Sequence, residues 1–183
     1  MRRTLLTVLS VLAVISLTTS AVFAGTGSFN GGVGFKTGSL TAFGKYVGYG
    51  GQDLWARLIG DATVLAMCQN KGGKQAPGRN PLSVTTSSTG IVSYIQNGTA
   101  PVELTAADPS TFPFVAPSPT PKEAGCPNGN WTVEPGPIPG STVWTGARIT
   151  IRSGDASGDV LFDECYAFDP NLVVTIVACT TEP

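Results

Sequence analysis

The stretch that decides the fold is DLWARLIGDATVLAMC, residues 53–68. Its even-numbered residues, apart from a central glycine, are apolar or small, which is the alternation of a β-strand with one buried face. Gly60 and Asp61 stand where a bulge or bend is expected. A helix over residues 54–67 is the competing interpretation, and Gly60 together with the β-branched residues that follow it disfavours that helix. The stretch therefore predicts the longest strand of the chain.

Shorter β-type runs, separated by Gly and Pro, surround this strand. Further strands are expected at residues 39–44, 82–86, 90–95, 102–104, 131–133, 143–152, 160–168 and 172–180. Asn97-Gly98 predicts a hairpin turn between its neighbouring strands. Residues 108–129 contain six prolines, which predict an extended crossover along the surface. In the run 143–152, the alternation places Val143, Ile149 and the other odd-numbered residues on one face, and Trp144 on the opposite face.

Composition favours one small all-β domain. The chain has 183 residues, of which 13% are charged, with 23 Gly and 14 Pro. Many short strands with Gly- and Pro-rich connections predict an antiparallel two-sheet β-sandwich, immunoglobulin-like or jelly-roll-like, with Greek-key connections. We expect a single domain at residues 39–183, preceded by a Gly-rich lead-in at residues 25–38 that is either flexible or a short first strand.

The N-terminus has the pattern of a secretory signal. Arg2 and Arg3 precede an apolar run, and Val22-Phe23-Ala24 places small residues where signal peptidase cuts before Gly25. A retained membrane anchor is the alternative, but the apolar run is shorter than the roughly 20 residues that span a bilayer. Residues 1–24 are therefore predicted to be a cleaved signal peptide, and the mature chain a secreted bacterial protein without a transmembrane segment.

The absence of histidine excludes several chemistries. A Ser-His-Asp triad, a Cys-His dyad and a His-ligated zinc site all require an imidazole. The net charge of −1 gives no basic excess for nucleic acid. Carboxylate-only catalysis stays open, yet Asp163 and Glu164 are adjacent in a predicted strand and would point to opposite faces. The pattern of residues 153–159 is typical of a turn rather than a calcium site. From these observations together we expect no enzyme activity, no cofactor and no metal.

The four cysteines predict two disulfides, for which three connectivities exist. Cys165 and Cys179 lie on consecutive predicted strands around one turn, in a register that sets Ala167 opposite Val177. Cys68 and Cys126 then form the other pair. A redox or metal role is disfavoured because no Cys-x-x-Cys pair occurs.

Two sequence blocks resemble those of secreted bacterial proteins of uncharacterised activity. The first block is CQNKGGKQAPGRNP at residues 68–81, and the second is AGCPNGNW at residues 124–131. The resemblance implies a small exported β domain and supports the pairing of Cys68 with Cys126. It implies no activity and no functional residues.

Two groups of side chains are candidates for a ligand surface. Three cations on the Gly-rich loop, with its backbone N–H groups, would suit an anion or a polyanionic glycan: Lys71, Lys74 and Arg79. The alternative is a solvated loop that needs Gly and Pro for its turns. Aromatic residues on one exposed face would form a sugar-stacking platform: Trp55, Trp144, Tyr46 and Tyr49. The alternative is that these aromatic residues pack in the core.

The function expected from these features is a non-catalytic structural or interaction protein of the cell surface, a filament or a matrix. The apolar, uncharged run at residues 172–177 would be an aggregation hazard as a free sheet edge, so pairing with another copy would account for it. The alternative is a carbohydrate-binding or adhesive module that uses Trp and Tyr against surface glycans. A secreted hydrolase with carboxylates alone is the third hypothesis.

Overall fold

The computed structural model describes residues 27–36, 38–93, 98–169 and 173–179. The predicted signal peptide lies outside these residues. The strands are β1 Ser28–Lys36, β2 Thr41–Val47, β3 Leu54–Val64, β4 Ala66–Asn70, β5 Gln75–Pro77, β6 Leu82–Val92, β7 Thr99–Thr105, β8 Trp131–Pro137, β9 Val143–Ser153, β10 Val160–Phe168 and β11 Val174–Val177. Within the described part of the chain all strand pairs are antiparallel and the only helical turn is a short 3-10 turn, Pro109–Thr111. The predicted all-β antiparallel class is confirmed.

Two sheets enclose one hydrophobic core. The first sheet has the strand order β1-β2-β7, and the second has the order β11-β10-β9-β3-β6. A third, small sheet of order β5-β4-β8 differs from the two-sheet prediction. It arises because the chain leaves the five-stranded sheet at Leu65, where the backbone N–H donates to Ser141 Oγ at 3.0 Å and the carbonyl accepts from Ile138 N at 2.7 Å.

The alternation that predicts β3 is confirmed. Leu54 and Leu58 are buried, as are the other even-numbered residues of the two strands as far as Cys68. Gly60 lies where a side chain would come within 2.7 Å of Leu40 and Trp144, so close packing requires glycine there. The register with β9 shifts beside it, between Asp61 and Ala62, but the extra residue lies on β9, so the bulge predicted on β3 falls on its partner strand.

The alternation predicted for β9 is wrong at its N-terminal end. Gly146 and Trp144 lie opposite consecutive residues of β3, so Thr145 is an extra residue on β9. A single extra residue reverses the direction of every side chain beyond it. Trp144 therefore lies on the inward face with Ile149 and Ile151, and it is only 6% exposed.

Asn97 of the predicted Asn97-Gly98 hairpin lies outside the described residues, and the described strands on either side of it, β6 and β7, do not pair with each other. Residues 82–86 and 90–95 were expected as separate strands, but β6 pairs with β3 continuously from Leu82 to Val92. Its polar centre is tolerated because alternate residues face solvent. β6 belongs to the five-stranded sheet and β7 to the three-stranded one, so their connection crosses between sheets.

The Gly-rich segment at residues 25–38 was expected to be either flexible or a short first strand, and residues 28–36 of it form the strand β1. Phe29 contacts Phe162 with ring centroids 4.9 Å apart, and Phe35 contacts Tyr166 at 4.9 Å. These edge-to-face contacts join the two sheets. β1 is therefore part of the sandwich, which extends to the N-terminal side of the predicted boundary at residue 39.

Both predicted disulfides are confirmed, with Cα–Cα distances of 5.8 Å for Cys68–Cys126 and 5.2 Å for Cys165–Cys179. The predicted register of the last hairpin is wrong by two residues, because Val177 lies opposite Cys165 instead of Ala167. The Cys165–Cys179 bridge is therefore diagonal across the two strands and not between directly opposed residues.

Candidate functional site

The two cysteine-containing sequence blocks form one structural unit, which we call the clasp (residues 68–81 and 124–131). The Cys68–Cys126 disulfide joins them. Two backbone hydrogen bonds run beside it, from Arg79 N to Gly125 O and from Asn80 N to Ala124 O, each 3.2 Å. The clasp thus fixes the Pro-rich crossover to the small sheet.

Glycine is required inside the clasp by close backbone approach. Gly78 N donates to Ala66 O at 2.8 Å, and a Cβ on Gly78 would lie 2.3 Å from the carbonyl oxygen of Ala124. Gly125 has a φ of +67°, and a Cβ there would lie 2.8 Å from Asn80. The glycines of the two blocks therefore have a structural explanation.

We expect Gly78→Ala to lower the free energy of unfolding by about 2 kcal/mol or more, because the new methyl group displaces the crossover backbone. Gly129→Ala is the matched control, since a Cβ there meets no atom within 4 Å. Urea denaturation of both variants measures the difference. Equal stability of the two variants would contradict the close approach of the two blocks.

The cations predicted to bind an anion do not share a cradle of free amides. Asn70 Oδ1 accepts hydrogen bonds from Gly72 N and Lys74 N, both at 2.9 Å, and the Asn70 carbonyl accepts from Gly73 N. These three N–H groups are therefore already used within the turn. Lys71 and Lys74 lie on this turn, whereas Arg79 follows β5 in the clasp. The solvated-turn alternative fits this loop better.

The predicted aromatic platform is not formed. Trp144 is buried and its indole Nε1 donates to the carbonyl of Gly38 at 3.1 Å. Tyr46 and Tyr49 are buried in the core, with their rings 5.8 Å apart, and burial raises the pKa of Tyr46 to about 12. Of the four aromatic residues, Trp55 alone lies on the outer face of the five-stranded sheet.

Trp55 borders a groove on that outer face, which we call the Trp55 groove. Its volume is about 480 Å³, within the range of small-molecule sites. The lining residues come from four adjacent strands and the β9–β10 loop: Trp55, Arg57, Ile59, Ser87, Thr89, Arg148, Thr150, Arg152, Ala156, Val160 and Asp163. The groove is therefore lined by hydroxyl groups, guanidinium groups and one indole.

The three arginine side chains of the Trp55 groove differ in their hydrogen-bond partners. Arg148 donates from Nε and Nη2 to the two carboxylate oxygens of Asp163, at 2.9 and 2.8 Å. The hydrogen bond from Arg148 is the main cause that lowers the pKa of Asp163 below its ordinary value. Arg152 donates to the carbonyl of Gly158 at 2.9 Å. The guanidinium group of Arg57 has no hydrogen bond or ion pair with any described residue.

The carboxylates do not form an acid–base pair. Asp163 and Glu164 point to opposite faces, as predicted, and Glu164 accepts a hydrogen bond of 2.6 Å from the hydroxyl of Tyr166. Burial of the ring, and after it this hydrogen bond, raise the pKa of Tyr166. Asp155 accepts hydrogen bonds from Ser157 within the β9–β10 turn. Across the described ranges no group of three or more His, Cys, Asp and Glu side chains is placed to hold a metal ion.

The five-stranded sheet has two edges with different surroundings. Beside the β6 edge, the Pro-rich crossover forms one wall of an apolar groove of about 970 Å³, which we call the proline-walled groove. The crossover residues that line it are Pro109, Phe112, Pro113, Phe114, Val115, Pro117, Pro119 and one carboxylate, Glu123, which accepts hydrogen bonds from Thr120. Leu82 and Val84 on the β6 side are half-buried, whereas Ser83 and Thr85 are exposed, so the wall covers the inward face of β6.

At the other edge, β11 extends beyond the three-stranded sheet. Val174 and Ile176 lie opposite Phe168 and Tyr166, and so share their inward face. They are nevertheless 40% and 68% exposed, because β1 covers β10 and no described element covers β11. We call these two side chains the β11 ledge.

Sequence reasoning named Trp55 but missed Arg57 and the two grooves. Alternation indicates which residues of β3 and of β9 face outward. It does not show that these two strands are neighbours, which depends on the strand order. The wall of the proline-walled groove depends on where the clasp fixes the crossover. The composition of the crossover indicated a surface segment and no more.

No protein-family model, no curated protein and no solved structure matches this chain. None of the helical structure in the described ranges is long and apolar enough to cross a membrane.

Proposed function

We propose that this chain is an exported, non-catalytic structural protein whose copies join edge to edge into a filament or matrix. The observation that carries the proposal is the state of the five-stranded sheet. Within the described structure neither the outer edge of β6 nor that of β11 has a strand partner, and neither strand contains a charged residue. Edge strands of soluble proteins are ordinarily protected by charge, proline or a covering element, because open edges pair with other chains.

The two edges are complementary. A second copy that adds its β11 to β6 continues the sheet, so the inward face of one copy continues the inward face of the next. The ledge residues Val174 and Ile176 would then face the apolar wall of the proline-walled groove. Burial of these side chains supplies the driving force, and backbone hydrogen bonds supply the direction.

The strand directions decide the form of the contact. Successive strands of the five-stranded sheet are antiparallel, so β11 runs parallel to β6. A copy added in the same orientation pairs in parallel and leaves a free edge at each end, which is a head-to-tail contact that repeats without closure. Pairing of β11 with β11 instead leaves the ledges of both copies uncovered. The β11–β6 contact is therefore the one that we propose.

Export agrees with the two disulfides, which persist in oxidising compartments. We expect protein recovered from the growth medium to begin at Gly25, after removal of the signal peptide. N-terminal sequencing of the secreted chain measures this. A chain retained in the cell with Met1 intact would contradict export.

We expect the mature, oxidised protein to form head-to-tail polymers whose length increases with concentration. Light scattering coupled to size exclusion, with electron microscopy of the largest fractions, measures the distribution. The proposal is wrong if the protein is monomeric at every concentration, and a dimer that does not grow would indicate closed pairing of like edges.

A further inference from the structure

We propose that the Trp55 groove binds a carboxylate-bearing sugar, such as a uronic acid within an acidic oligosaccharide. This site is separate from the proposed contact, because it uses only the outward side chains of the edge strand β6, Ser87 and Thr89, whereas the contact buries the inward side chains of the β11 ledge. Its walls come from β3, β6, β9 and β10, all of them paired strands, so the groove is held by the sheet itself.

The aromatic part of the groove suits a pyranose ring. Trp55 is half-buried and lies between Ile91 of β6 and Arg152 of β9 in the cross-strand register. An indole held in this way presents an apolar surface to the C–H groups of a sugar while its surroundings stay polar. Ile59, which is 8% exposed, adds an apolar residue to the same face of β3, on the other side of Arg57 from Trp55.

The charges of the groove favour an anion. Asp163 is the one acidic side chain of the lining, and Arg148 neutralises its charge through a bidentate ion pair. Arg152 also helps to lower the pKa of Asp163, so this single carboxylate faces three lining guanidinium groups and the groove keeps a net positive charge. The planar guanidinium of Arg57, with no partner in the described structure, matches a carboxylate with two parallel hydrogen bonds.

Hydroxyl groups beside Arg57 complete a sugar site. In the register, Arg57 lies between Thr89 of β6 and Thr150 of β9, and both threonines line the groove. Threonine hydroxyls both donate and accept, as sugar hydroxyls do. A carboxylate on Arg57 thus places the remainder of the same sugar among hydroxyl partners and against Trp55.

The test measures binding by isothermal titration of the full mature protein with trigalacturonate, the neutral sugar galactotriose, and inorganic phosphate. We expect trigalacturonate to bind, with an affinity that falls as salt is added. Arg57→Gln and Trp55→Leu should each weaken it by about ten-fold or more. The matched controls are Arg79→Gln and Trp131→Leu, which lie on the clasp and should change the affinity less than about two-fold.

Thermal denaturation establishes that each variant is folded before titration. An absence of trigalacturonate binding at millimolar concentration overturns the proposal. Equal binding of galactotriose overturns the role of the carboxylate, and equal or tighter binding of phosphate overturns the role of the sugar. Unchanged affinity in Arg57→Gln with loss in Arg79→Gln would place the site on the clasp and contradict the assignment.

Discussion

Removal of the Cys68–Cys126 disulfide by the paired substitution Cys68→Ala and Cys126→Ala is expected to lower the free energy of unfolding by about 4 kcal/mol. The bridge closes a loop with a sequence separation of 58, so its loss returns a large conformational freedom to the unfolded chain. Cys68 is also fully buried, and the clasp depends on this bond to fix the crossover. Denaturation in urea under oxidising conditions measures the change.

The matched control is the paired substitution Cys165→Ala and Cys179→Ala. This bridge has a sequence separation of 14 and joins two strands that are already paired, so its removal should cost about 3 kcal/mol in the same model. A larger loss at the second bridge than at the first would contradict the role given to the clasp.

The second large effect is expected at the β11 ledge. Ile176→Lys should raise the concentration at which half of the protein is assembled by about ten- to a hundred-fold, because the contact loses one buried side chain and gains a charge against an apolar wall. Ile176 is 68% exposed in the single chain, so the fold of the monomer should be unaffected. Light scattering over a concentration series measures the shift.

Val143→Lys is the matched control for this variant. Val143 is also an exposed β-branched residue, at 57%, but it lies on β9 in the interior of the sheet. The same change of charge there should leave assembly within about two-fold of the wild type. If the two lysine variants assemble alike, charge itself and not the ledge governs association.

Local pattern predicted much of this fold. The alternation of residues 53–68 places the buried face of β3 and β4 correctly along its whole length, and β10 has the predicted bounds. The cysteine pairing was also predicted, because one pair lies around a single turn. These features depend on neighbouring residues, so the sequence carries them directly.

Apart from the Cys68–Cys126 pairing, which followed once the other two cysteines were paired, features that depend on distant residues were not predicted. The extra residue Thr145 reverses the direction of Trp144, and nothing in the local sequence marks it. The sheet membership of β6 and β7 is set by partners elsewhere in the chain, so the Asn-Gly turn signal did not reveal that the two strands belong to different sheets. The candidate site shows the same difference between local and distant information. Alternation along β3 indicates that Trp55 faces outward. That Trp55 lines one groove with Arg57, Arg148 and Arg152 follows only from the strand order.

The central claim is that β11 of one copy pairs with β6 of the next, and thiol cross-linking tests it most directly. No described cysteine is free, so an introduced cysteine supplies the reactive thiol. Thr175 and Thr85 are both exposed on the outer face, and Ser83, Ser87 and Thr89 allow other registers to be sampled. Thr175→Cys is combined in turn with a cysteine at each of these four β6 positions and treated with a short bismaleimide. Pairing of β11 with β6 predicts a ladder of covalent oligomers from at least one double variant, and none from the single variants. Dimers from Thr175→Cys alone, or monomers from every double variant, would contradict it.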